Sequence, residues 1–152
     1  MRLGLLASSH LARLWTGRRP KGSDWMNTMA CALDVAFRTT LLLTGTMNTA
    51  EEAVMRGIDA CEDLSPRDLL IEAVRSAVRL RKESQNRPCE VEYLPPELQR
   101  LFMLQPLPRH CLVLRILVGL SSEFCADLLD ISVCEFEEAL QAAFIELCST
   151  KG

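Results

Sequence analysis

Apolar residues recur at three- and four-residue spacing along most of the chain, and few segments show the strict alternation of strands. The pattern predicts an all-α fold. Asn27 or Thr28 is placed to cap a first helix running to Leu43, with Thr44-Gly45 stopping it. Thr49 and Glu52 form a T-x-x-E capping pattern that opens a second helix to about Cys61. Ser65-Pro66-Arg67-Asp68 is a strong start signal: a cap, a proline suited to the first helical position, and an acid at the positive helix end. In the third helix Leu70, Val74, Ala77 and Val78 line one face. Arg75, Arg79, Arg81 and Lys82 lie away from it, and the helix ends near Lys82.

The stretch 83–96 is polar and holds three prolines, which marks it as a linker. A short helix follows over about 96–104, then one over 108–118 that Gly119 ends in a left-handed conformation. Ser121 or Ser122 starts the next, to Leu129. Asp130 occupies a tight turn as a left-handed residue. Ser132 and Glu135 form a second capping box, and in the last helix Val133, Phe136, Leu140, Ala143, Phe144 and Leu147 are expected to face the core. Together 119–147 read as a helix-turn-helix. The expected organisation is a flexible tail over 1–25, a helical bundle over 26–82, a linker over 83–95 and a second bundle over 96–152. The organised sequence starts near Met26 or Met29.

Charge changes this picture in one respect. The net charge is −3, yet Arg2, Arg13, Arg18, Arg19 and Lys21 sit near one end. The acids Glu123, Asp127, Asp130, Glu135, Glu137, Glu138 and Glu146 sit in the other. The segment built like a DNA reader is the acidic one, whereas DNA affinity rests on lysine and arginine. The seven cysteines include no CxxC and no zinc-finger spacing, so they read as reduced core residues of a cytoplasmic protein. His10 and His110 lack a nucleophile or carboxylate partner at catalytic spacing. No P-loop, GxGxxG or metal-ligand cluster occurs, so no enzymatic activity and no cofactor are expected. No apolar run is long enough to cross a membrane.

The stretch 107–147, with Leu107-Pro108-Arg109, Leu112, Leu114, Gly119-Leu120-Ser121, Ala126, Leu129, Ile131-Ser132, Phe136, Leu140, Ala143 and Leu147 in ungapped order, resembles region 4 of extracytoplasmic-function sigma factors. Residues 36–62 are similar, more loosely, to region 2 of that family. The resemblance spans about 26–148. It implies transcription initiation: docking on core RNA polymerase through Ala50, Glu51, Glu52, Val54, Met55 and Ile58, and contact with promoter DNA through Arg75, Arg79, Arg81, Lys82, Arg109, Arg115 and Ser132. An anti-sigma or other protein partner is also implied. Phe144 and Ile145, where the family has polar residues, are candidates for interdomain or partner packing, a homodimer included.

The departures define an alternative. The family offers Lys or Arg where this chain has Glu137, Ala139 and Ala142. Phe124 stands in place of Glu and Asp130 in place of a turn glycine. Met55 and Arg56 occupy positions often held by Gln and Glu, and the tryptophan usual around 65–75 is missing. Each lost phosphate contact removes about one unit of log–log salt slope. The alternative is thus a sigma-like protein that has lost DNA reading and acts by protein contact.

Overall fold

The computed structural model describes residues 23–63, 65–83 and 89–149. Residues 1–22, most of the expected tail, lie outside the described set, as do 84–88 of the expected linker. The described chain is all-helical: α1 Ser23–Thr44, α2 Met47–Ala60, α3 Pro66–Glu83, α4 Pro96–Gln99, α5 Pro106–Leu112, α6 Ser122–Leu129 and α7 Val133–Ser149. A 3-10 turn, Arg100–Met103, extends α4, and a π-helical segment, Val113–Val118, extends α5.

Several boundaries follow from the local chemistry expected of them. Ser65 Oγ accepts from the Asp68 N–H at 3.1 Å, and Ser121 Oγ from the Phe124 N–H at 3.3 Å. The Ser132–Glu135 box closes in both directions, with the Ser132 N–H donating to the Glu135 carboxylate at 2.8 Å and the Glu135 N–H to Ser132 Oγ at 3.2 Å. The Ser132 N–H and the Ser132 hydroxyl, at 2.8 and 2.9 Å, both donate to the Glu135 carboxylate and pull its carboxyl below the usual range. Gly119 ends the π segment at φ 84°. Asp130 is left-handed at φ 58°, ψ 47°. A side chain costs energy there, so Asp130→Gly is expected to stabilise the fold by about 0.5–1 kcal/mol, read as a higher urea midpoint at unchanged slope.

Other boundaries differ. Helix α1 begins at Ser23, so Asn27 and Thr28 lie within it rather than capping it. The cap of α2 is Thr46, not Thr49: its side chain accepts from the Thr49 N–H, and the two hydroxyls meet at 2.6 Å. Gly45, at φ 81°, reverses the chain so tightly that α2 starts three residues after α1 ends. Glu52 is thereby left on the surface, paired with Arg56 at 2.7 Å. Pro106 and Pro108 do not delay α5, because first-turn N–H groups have no helical partner to lose.

Helices α1, α2 and α3 pack on one another, and α7 packs on α5 and α6. The apolar interiors of these two groups are continuous. Leu42 and Leu43 of α1 and Val78 of α3 belong to one buried cluster with Leu101, Leu104, Leu112 and Leu129. Helices α2 and α3 approach closely at Gly57, where a side-chain carbon would sit 2.7 Å from the Ala73 nitrogen. The 89–94 segment is docked: the Glu90 N–H donates to the Gly45 carbonyl at 2.7 Å, and Val91 and Leu94 are half-buried.

Candidate functional site

The last helix carries the acidic surface. Phe136, Ala139, Leu140 and Ala143 point inward. Glu135, Glu137, Glu138, Gln141, Ala142, Phe144, Ile145 and Glu146 are exposed. Ala139, which the sequence resemblance set at a DNA-contact position, is therefore part of the core. Val133 and Phe144, expected in the core, are 42% and 44% exposed, and Ile145 is 61% exposed. The two short helices facing α7 cover only the stripe centred on Phe136, Leu140 and Ala143. Phe144 lies on its shoulder, where Ala139 fills the opposite edge. From Val133 to Ser149 there is no lysine or arginine. Ser132 is exposed, and its side chain is committed to the cap.

The basic residues assigned to DNA divide into four groups. Arg79 and Lys82 are exposed on α3. Arg75 is half-buried and paired with Glu72 at 2.9 Å. Arg81 turns inward, donating to the Thr44 carbonyl at 3.4 Å. Arg115, half-buried, donates to the Leu120 carbonyl at 3.3 Å and closes the end of the π segment. Arg109, expected at the surface, is only 2% exposed. Its neighbour Gln105 precedes α5, and the first turn of α5 carries the side chain into the junction between the helical groups.

That junction is the most distinctive chemical feature of the molecule. Three side chains converge on the carbonyl end of α1. His110 Nε2 lies 3.0 Å from the Leu43 carbonyl. Since a carbonyl only accepts, Nε2 carries the proton. Arg81 reaches Thr44, and Arg109 sits beside them with its guanidinium carbon 4.6 Å from the Phe102 ring centre. No carboxylate of the described residues pairs with Arg81 or Arg109 within ion-pair distance. The negative end of the α1 dipole and the aromatic face supply the compensating field. Nε and Nη2 of Arg109 are buried without a hydrogen-bond partner among the described residues. Burial lowers the Arg109 pKa, Cys89 opposes that shift, and Arg81 reinforces it. Burial, with Arg109 and Arg81 adding to it against the Leu43 hydrogen bond, brings His110 down to about 4. A cavity of about 320 Å³ opens next to this cluster, lined by Val78, Arg81, Lys82, Pro106, Leu107, His110 and Leu129.

On α2 the residues expected to dock on polymerase are split by the helix period. Ala50 and Val54 are buried against the neighbouring helices, out of a partner's reach in this fold, and Ile58 is half-buried. Glu51, Glu52 and Met55 are exposed, with Met55 at 55%. Arg56 and Asp59 share that outward side.

The cysteines are less uniformly interior than the pattern implied. Cys111 and Cys125 are buried, and burial pushes their thiols up to about 12 and about 11. Cys61 and Cys89 are half-buried, and Cys31, Cys134 and Cys148 are exposed. Sequence reasoning placed neither the inward turn of Arg109 nor the His110–Leu43 bond. The signal available was the adjacent pair Arg109 and His110 set within the otherwise apolar stretch 107–114. Among the described residues no group of three metal-ligating side chains occurs, and no helix is long and apolar enough to cross a membrane. Compared with family models, curated proteins and solved structures, the chain matches none.

Proposed function

We propose that this chain is a sigma-like helical protein that acts by protein contact and does not read promoter DNA. The observation that carries this reading is the outward face of α7. It presents Glu135, Glu137 and Glu138 with exposed Phe144 and Ile145, and offers no cation to a phosphate backbone. Arg109 is buried, and Arg115, the arginine nearest to α7 in sequence, is half-buried and donates to the Leu120 carbonyl. A helix with that surface repels DNA and suits a protein partner with apolar anchors and basic flanks. The exposed side of α2, with Glu51, Glu52 and Met55, is the proposed docking face for core RNA polymerase. This assignment rests on the sigma resemblance. No enzymatic activity and no cofactor form part of the proposal.

Fluorescence anisotropy of the full chain with double-stranded DNA tests it. The expected result is no binding whose affinity falls as salt rises. A steep loss between about 50 and 200 mM salt would be the signature of phosphate contacts and would contradict the reading. Exposed Arg79 and Lys82 favour a second reading, promoter contact through α3. That reading predicts measurable binding that weakens on Arg79→Ala/Lys82→Ala and is untouched by changes in α7.

A further inference from the structure

The cavity of about 320 Å³ at the junction has a lining of two kinds. Val78 of α3, Leu107 of α5 and Leu129 of α6 present hydrocarbon to it. Arg81 and Lys82, from the last turn of α3, are the only charged residues that line it, and both are cations. Among the described residues no carboxylate lies within ion-pair distance of either. Arg81 donates to the Thr44 carbonyl at 3.4 Å, and a guanidinium has further N–H donors to offer. His110 lines the same cavity, 7% exposed, with its Nε2–H engaged by the Leu43 carbonyl. No lining group is therefore an anion that could balance the two cations. The volume falls at the small end of the range for small-molecule sites, about 300–1,000 Å³, and such sites favour places where separate packing units meet.

We propose that this cavity binds a small amphipathic carboxylate of the fatty-acid class, its carboxylate on Arg81 and Lys82 and its tail against Val78, Leu107 and Leu129. Each half of the lining selects one half of the ligand. A carboxylate accepts charge-assisted hydrogen bonds from guanidinium and ammonium groups, which are the strong ones. A hydrocarbon tail removes apolar surface from water, both its own and that of the wall. An inorganic anion would engage the cations and leave the apolar wall wet. A neutral alcohol would cover the wall and leave the cations unpaired. The ligand would touch α3, α5 and α6 together, and so tie the α1–α3 group to the α5–α7 group. Binding to the native chain alone raises its stability. The inference is independent of the transcription reading.

The test titrates n-octanoate into the full chain at constant ionic strength and follows the histidine ring resonances by NMR at about pH 7, where an unperturbed imidazole is mostly neutral. The chain has two histidines, His10 and His110. The expected result is a saturable shift of the His110 ring with no matching change at His10, and a higher urea midpoint with octanoate present. Two probes separate the halves of the ligand. n-Octanol, the tail without the charge, and inorganic phosphate, a charge without the tail, are each expected to bind roughly tenfold or more weakly. Lys82→Glu, a change at an exposed residue, is expected to weaken octanoate roughly tenfold and leave octanol unchanged. Absence of a saturable His110 shift overturns the proposal, as does an equal change at His10. Octanol or phosphate binding as tightly as octanoate, or an unchanged octanoate affinity in Lys82→Glu, overturns it too.

Discussion

Gly57→Ala is expected to destabilise the protein by about 2–3 kcal/mol, because overpacking a closed contact forces the backbone to move. On an open helix the same change would stabilise by about 1 kcal/mol. The sign is reversed here by geometry. The added carbon would lie 2.7 Å from the Ala73 nitrogen and 2.9 Å from its Cα. These are backbone atoms of α3, which cannot rotate away as a long side chain would. Helix α2 must separate from α3, and the buried Ala53, Val54, Leu70, Ala73 and Val74 lose contact together. Urea unfolding of the two proteins measures this directly. A variant as stable as the parent, or more stable, would show that the approach at Gly57 is not a tight one.

Acidification is expected to destabilise the protein through His110. Its folded pKa is about 4, against about 6.5 for an unperturbed histidine. Above both values the imidazole is neutral in either state and no proton is exchanged on unfolding. As pH falls below the unfolded value, the unfolded chain binds a proton that the native chain refuses. Stability is therefore lost between about pH 6.5 and 4 and levels off below, with a total of about 3 kcal/mol. The physical origin is the junction itself: protonation would place a further cation in a buried site already holding Arg109 and Arg81. Glu135 adds an acid-sensitive contribution at lower pH, since its hydrogen-bonded carboxylate must be protonated. The part between about pH 5 and 6.5 is diagnostic of histidine. His110→Gln, whose amide can still donate to the Leu43 carbonyl, is expected to flatten that part of the curve. An identical pH profile in parent and variant would remove His110 from the account.

The helical elements were legible because they are specified locally. The capping side chains of Ser65, Ser121 and Ser132 and the left-handed positions of Gly119 and Asp130 each act within a few residues. Where a local rule had two solutions, the turn decided. Thr46 and Thr49 both fit a cap, and only the tight reversal at Gly45 selects Thr46. The π segment was not legible, since its pattern of Val, Leu and Ile is equally that of an α-helix, and its widened turn leaves Ile116 and Leu117 53% and 42% exposed. The candidate sites were read less well for a different reason. Residue type placed Arg109 outside and Phe144 inside, whereas the packing of α5 and α7 places them the other way. The resemblance selected Ala50 and Val54 for docking, but the 3.6-residue period of α2 turns both toward α1 and α3 and leaves Met55 outward. The acidity of α7, by contrast, is a property of composition, and exposure of Glu137 and Glu138 preserves it.

The central claim is that the chain works by protein contact, with core RNA polymerase as the partner and the outward side of α2 as the docking face. Co-sedimentation of the intact, folded protein with its host's core RNA polymerase at moderate salt tests this most directly. The account predicts binding without DNA, weakened roughly tenfold by Met55→Asp, as for an apolar anchor at the centre of an interface. Failure of the folded parent protein to bind, or binding that requires promoter DNA, would contradict it.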